Sequence, residues 1–185
     1  MVRLAINGMG RIGRCVLRAA QETDDITVEA INDRHAPDDI AYHYNHDTVH
    51  GSPQEQARVT EDGLNVGGNE IKAYQTDDPA DIPWDRHDLD LVLEATGVFR
   101  HKKDAAKHLD AGAEKVLLSA PAKGEQADTI PSIVYGVNND VYDGESIVDC
   151  ASCTTNSLAP MAKALHDAFG IESGLLTTVH AYAGS

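Results

Sequence analysis

Three glycines spaced Gly8-x-Gly10-x-x-Gly13 join an apolar run, Val2 to Asn7, to a helical pattern, Arg11 to Gln21. Few folds put a glycine triplet between a buried strand and a helix. Gly8 permits a tight turn, Gly10 lets backbone approach a pyrophosphate, and Gly13 lets helix and strand pack closely. The unsatisfied N–H groups at such a helix start, with the helix dipole behind them, favour an anion. Arg11 and Arg14 add local positive charge. Asp33 follows Gly13 by 20 residues, at the end of the next strand pattern, Ile26 to Asn32. A carboxylate there suits the ribose hydroxyls of a dinucleotide. It repels a 2′-phosphate and so favours NAD, while Arg34 beside it leaves NADP open.

The rest of the chain keeps alternating strand and helix. On Arg11 to Gln21 the apolar stripe is Ile12, Val16 and Ala19 or Ala20. A short helix is expected over Asp38 to His46, then brief strands between Gln56 and Tyr74, punctuated by Asp62-Gly63 and Gly67-Gly68. Leu89 to Ala95 is an apolar strand, Lys103 to Ala111 a helix closed by Gly112, and Lys115 to Ser119 a strand stopped by Pro121. Ile133 to Val137 and Ser146 to Cys150 read as two more strands. Such alternation predicts an α/β fold, a Rossmann-type doubly wound, mostly parallel sheet covered by helices.

Cys153 to Phe169 is the last helix, with Leu158, Met161, Ala162, Leu165 and Phe169 on one stripe. Leu175 to Tyr182 reads as a strand carrying His180. An apolar strand there without a later partner reads as the front of a longer protein, with residues 1–150 a dinucleotide-binding domain and 151–185 the start of a truncated α+β catalytic domain.

Ala151-Ser152-Cys153-Thr154-Thr155-Asn156 places a thiol at a helix start. The helix N-terminus favours the thiolate and offers N–H donors to an oxyanion on a carbon bonded to the sulfur. Ser152, Thr154 and Thr155 carry hydroxyls suited to capping or to phosphate. A strand after the helix can return His180 beside the sulfur as a general base. Three cysteines are too few for a disulfide framework, and Cys15 reads as a small buried hydrophobe.

Acidic residues outnumber basic ones 30 to 15, a net charge of −15. That argues against nonspecific partnership with nucleic acid or an anionic membrane. A solubilising surface and adaptation to high salt fit the composition equally. No apolar run approaches the roughly 20 residues that span a bilayer. Met1 to Ile6 enters a strand pattern directly, so cytoplasm is the expected compartment.

The chain resembles the N-terminal half of phosphorylating glyceraldehyde-3-phosphate dehydrogenases. The likeness rests on Ile6-Asn7-Gly8-x-Gly10-Arg11-Ile12-Gly13-Arg14, Asn32-Asp33, Glu94-Ala95-Thr96-Gly97, Ser119 to Lys123, Val134 to Asn138, Ala151 to Asn156, and Thr177 to Tyr182. The resemblance implies Cys153 as nucleophile and His180 as its base. It implies Gly8, Gly10, Arg11, Ile12, Gly13 and Asp33 at NAD, with Thr96, Gly97 and Ser119 along the cofactor path. Ser152 and Thr154 fall at the attacking-phosphate site, and no metal is assigned. The implied chemistry converts an aldehyde phosphate and inorganic phosphate to an acyl phosphate through a thiohemiacetal and a thioester, in a homotetramer when full length. Without the remaining substrate domain, the 185 residues alone are expected to be inactive.

Cys150 stands where such proteins usually have asparagine; it reads as a resolving thiol or as a buried substitution. Ala183 replaces a threonine that helps hold the substrate phosphate, and Met9 a phenylalanine beside the adenine pocket. Two other readings stay open: hydrolytic aldehyde oxidation of the erythrose-4-phosphate dehydrogenase type, and a non-catalytic dinucleotide or redox-sensing module.

Overall fold

Alternation along β1 (Val2–Asn7) decides which elements cover which side of the sheet. The structure, a computed structural model, describes residues 1–180. Leu4 and Ile6 pack on one face with Leu17 and Ala20 of α1 (Arg11–Ala20) and with Ile40, Ala41 and Tyr44 of α2 (Pro37–Asn45). Ala5 points to the other face, into a cluster with Ala30, Trp84 and Val92. Further along that sheet, Ala105 of α3 (Lys102–Asp110) packs on Val116, Leu118 and Ile147. Burial on both faces is what near-continuous apolar runs in a parallel sheet require.

The remaining strands are β2 (Ile26–Asn32), β3 (Ala57–Val59), β4 (Gly63–Val66), β5 (Asn69–Tyr74), β6 (Leu91–Glu94), β7 (Val116–Leu118) and β8 (Ile147–Asp149). Their order is β3-β4-β5-β2-β1-β6-β7-β8. From β5 to β8 every neighbouring pair is parallel, while β3, β4 and β5 form an antiparallel meander. The order reverses direction between β1 and β6. This is the doubly wound arrangement, and a crevice opens at the carboxyl ends of the strands where the order switches.

Gly13 is the contact that fixes α1 on the sheet. A methyl group there would stand 2.0 Å from the Gly8 carbonyl oxygen and 3.2 Å from Ile6 Cγ2. Alanine normally gains about 1 kcal/mol over glycine in a helix, but the clash is with backbone and must displace the helix. Gly13→Ala is therefore expected to destabilise the protein by about 3 kcal/mol net, read as a lower urea midpoint at unchanged slope.

The structure departs from the sequence expectations at five places. On α1 the buried residues are Gly13, Leu17 and Ala20, while Ile12 is half exposed; the close approach at Gly13 rotates the buried stripe by one position. Residues 133–137 form a turn instead of a strand. Gly136 takes φ +75°, and Asn138 Oδ1 accepts from the Val134 N–H at 2.7 Å, so only a bridge between Ser132 and Asp149 reaches the sheet. Of the strand expected over Leu175 to Tyr182, residues 175–180 carry no strand, because no described segment offers them a ladder partner; residues 181–185, including Ala183, lie outside the described part. Cys15 is only partly buried, 3.9 Å from His50 Nδ1. The helix α4 (Cys153–Phe169) has the expected bounds, yet Met161, Leu165 and Phe169 of its apolar stripe are exposed. Among the described residues no helix is long and apolar enough to cross a membrane.

Candidate active site

The carboxyl ends of β1, β2 and β6 frame a cleft of about 390 Å³ whose lining includes Gly8, Gly10, Asp33, Thr96 and Phe99. Gly8 turns with φ +99°, and a side chain there would press within 2.7 Å of the Thr96 nitrogen. Only glycine fits that junction. Gly10 has open space where its Cβ would be, which leaves room for a pyrophosphate at the start of α1.

Asp33 stands at the end of β2 with both oxygens engaged. Oδ2 accepts from the Met9 N–H at 2.6 Å, and Oδ1 from the His35 N–H at 2.9 Å. Burial pushes this carboxyl up, but the His35 and Met9 N–H donors and the His35 ring outweigh it and hold it below the usual range. The charged carboxylate retains lone pairs for ribose hydroxyls, so the residues present fit the dinucleotide. Arg34 is turned to Asp77, 3.1 Å away, with both side chains exposed. Asp33, Arg34 and Asp77 all line this cleft.

Not every residue assigned to the cofactor reaches this cleft. Arg11 lines a neighbouring cleft with Arg14 and His43. Ile12 is exposed on the first turn of α1, and Gly13 is sealed between helix and strand. Met9 is 3% exposed and packs in the core. Ser119 follows β7, its N–H bonded to the Glu94 carbonyl, and Gly97 follows Thr96 with φ +72°.

Beneath the cleft lies a polar network that sequence reasoning passed over. Glu94, 2% exposed, accepts from Asn7 Nδ2 at 2.5 Å, from the Thr96 N–H at 2.8 Å and from the Thr96 hydroxyl. His108 Nε2 lies 3.1 Å from the same carboxylate, and Trp84 Nε1 donates to His108 Nδ1 at 2.9 Å. The Trp84 bond makes Nδ1 an acceptor and leaves the ring proton on Nε2, facing Glu94. Asn32 Nδ2 extends the network to Asn7 Oδ1 at 2.7 Å. The sequence signal was a polar residue closing each of three apolar strands.

The second cluster starts at Cys153, the first residue of α4. Ser152 caps the helix: its Oγ accepts from the Thr155 N–H at 3.0 Å and meets the Thr155 hydroxyl at 2.8 Å. Asn156 Nδ2 donates to the Cys150 carbonyl at 2.6 Å and to that of Ser152 at 2.9 Å, tying the entry turn to the first helical turn. Cys153 Sγ lies 3.4 Å from His180 Nε2 and 4.0 Å from Thr154 Oγ1, at one end of a cleft of about 420 Å³. Hydrogen bonding to His180 first, then to Thr154, holds the exposed Cys153 thiol below the ordinary range. Cys150 is half-buried and moves the other way, raised by desolvation and then by the Asp149 charge. All three cysteines are free thiols.

Residues 2–102 match the family model described as the NAD binding domain of glyceraldehyde 3-phosphate dehydrogenase, and residues 152–185 match that of its C-terminal domain. Among curated relatives, the glyceraldehyde-3-phosphate dehydrogenase of Haloarcula vallismortis is 50% identical, over 100% of this chain and 55% of its own length. That of Thermotoga maritima is 48% identical over 98% of the chain and 54% of its own length. Glyceraldehyde-3-phosphate dehydrogenase 2 of Bacillus subtilis is 48% identical over 98% and 53%. The chain spans about half the length of the curated relatives it matches. With more than half of its residues matched by one model of that family, the chain belongs to the glyceraldehyde 3-phosphate dehydrogenase family.

Proposed function

We propose that this chain supplies the NAD site and the sulfur nucleophile of an enzyme that oxidises and phosphorylates D-glyceraldehyde 3-phosphate to 1,3-bisphosphoglycerate. The observation that carries the reading is the 3.4 Å approach of Cys153 Sγ and His180 Nε2, in a chain whose glycine-turn cleft opens at the same carboxyl edge of the sheet. Cys153 gives its proton to His180 and adds to the aldehyde carbon, forming a thiohemiacetal. The imidazolium then stabilises the new alkoxide oxygen and returns the proton to it, giving the thiohemiacetal hydroxyl and a neutral imidazole, and the N–H groups at the start of α4 assist. NAD, when bound, supplies the hydride acceptor. His180 takes the hydroxyl proton as the carbon is oxidised to a thioester on Cys153. Ser152 and Thr154 flank the sulfur with hydroxyls that can orient inorganic phosphate toward the thioester carbon; carbon–sulfur cleavage then returns the thiolate.

Asp33, charged and paired with backbone N–H donors, selects NAD, since both it and Asp77 oppose a 2′-phosphate. Homotetrameric assembly and a place among glycolytic enzymes belong to the same reading. The test is NADH formation from glyceraldehyde 3-phosphate by the full-length protein, with and without inorganic phosphate. The expected rate falls to baseline when phosphate is omitted. An undiminished rate would assign hydrolytic oxidation instead. NAD binding with no aldehyde-dependent NADH would assign a non-catalytic module.

A further inference from the structure

Immediately before the nucleophile helix, the chain makes a turn that an alanine resists. Ala151 has φ +58°, in the left-handed region that residues with a Cβ rarely enter. It is 7% exposed and sits between β8 and the Ser152 cap. What holds it there is Asp149, the last residue of β8 and 1% exposed. Its Oδ1 accepts from the Ala151 N–H at 2.7 Å and from Ser132 Oγ at 2.6 Å, and its Oδ2 accepts from the Ala122 N–H at 2.9 Å. Backbone bonds lock the carboxylate's own residue: the Asp149 N–H donates to the Pro131 carbonyl at 3.0 Å, and its carbonyl accepts from the Ile133 N–H at 2.8 Å.

We infer that Asp149 is a positioning residue for the reaction: its buried carboxylate ties the Ala122, Ser132 and Ala151 segments together and sets the turn that aims Cys153 Sγ at His180. The inference rests on the reading of Cys153 as nucleophile. It touches no substrate and acts only through the turn. Three donors converge on one carboxylate whose chain runs on through Cys150-Ala151-Ser152 to Cys153. Hydrogen bonds to a charged acceptor are the stronger kind, and here they oppose the conformational cost of a left-handed alanine.

The test compares D149N with D149N/A151G in the full-length protein. Asparagine keeps one acceptor oxygen for the Ala151 and Ser132 donors, but it turns an NH₂ group onto the Ala122 N–H. D149N is expected to lower kcat by about 10- to 100-fold, the scale of a misplacement near 1 Å, with KM for NAD unchanged. It should also slow iodoacetamide alkylation of Cys153 at neutral pH, read peptide by peptide by mass spectrometry. Glycine adopts φ +58° without strain, so adding A151G should recover most of both losses. A residue needed only for folding would lower the urea midpoint in D149N but leave kcat and Cys153 alkylation of the folded protein native. Should D149N fail to fold, S132A removes one donor and leaves the carboxylate; it should lower kcat in the same direction by a smaller factor. Native kcat and alkylation in D149N or S132A, or no recovery with A151G, would overturn the assignment. Native protein lacking aldehyde-dependent NADH formation would instead overturn the functional reading. Cys153 alkylation needs neither substrate nor NAD and then still decides the role of Asp149.

Discussion

Cys153→Ser is expected to lower aldehyde-dependent NADH formation by about 10⁴- to 10⁶-fold, the scale of losing a covalent nucleophile, with NAD affinity unchanged. The size follows from chemistry at one atom. A serine hydroxyl stays protonated where the Cys153 thiol is held low by His180 and Thr154, and an alkoxide ester is a poorer acyl donor than a thioester. Nothing in the packing dilutes the effect. Cys153 is exposed and α4 has no buried residue, so exchanging sulfur for oxygen opens no cavity. The Ser152 cap and the two Asn156 bonds to the entry turn remain. Neither other thiol can substitute, because burial and Asp149 push Cys150 up and Cys15 sits on α1. Steady-state kinetics with the full-length protein and a separate NAD titration check both halves. Residual activity within tenfold of native would remove Cys153 from the mechanism.

The parallel half of the sheet was legible because a strand buried on both faces declares itself as an apolar run, and the turn residues between runs are unambiguous. Gly8 was legible for a related reason: its φ of +99° and the Thr96 backbone beside it leave no room for a side chain. Residues 133–137 were not, since Val134 and Val137 favour a strand by propensity and the decisive bond comes from the Asn138 side chain. The buried stripe of α1 slipped by one position because periodicity counts side chains, whereas the packing is set by Gly13, which has none. Glu94 and Asp149 went unread for a deeper reason. Each closes an apolar strand as a lone acid, and its partners come from segments that only the fold assembles: Asn7, Thr96 and His108 for one, Ala122, Ser132 and Ala151 for the other. His180 was proposed on a strand that the described residues lack, yet its ring stands beside the sulfur. The expected element was wrong while the expected neighbour is there.

Replacing His180 by asparagine separates the two tasks that residue is given. The hydrogen bond from His180 is the largest influence holding the Cys153 thiol below its ordinary range. Without it the thiol moves up, so less of it is ionised at neutral pH, and iodoacetamide alkylation of Cys153 should slow there. Raising the buffer past the ordinary thiol range, near pH 8.5 or somewhat above, ionises the sulfur regardless and should bring alkylation back. Turnover should behave differently. H180N is expected to lower kcat by about 10²- to 10⁴-fold, the worth of a positioned proton-transfer group, and high pH should restore only the part due to the thiolate. The proton that leaves the thiohemiacetal hydroxyl still has no acceptor, and the alkoxide has lost its imidazolium partner. Alkylation that recovers with alkali while kcat does not is therefore the signature of a residue serving both as ion-pair partner and as base. Alkylation at the native rate at pH 7 would assign the sulfur's ionisation to Thr154 and the N-terminus of α4, the remaining influences at residue 153.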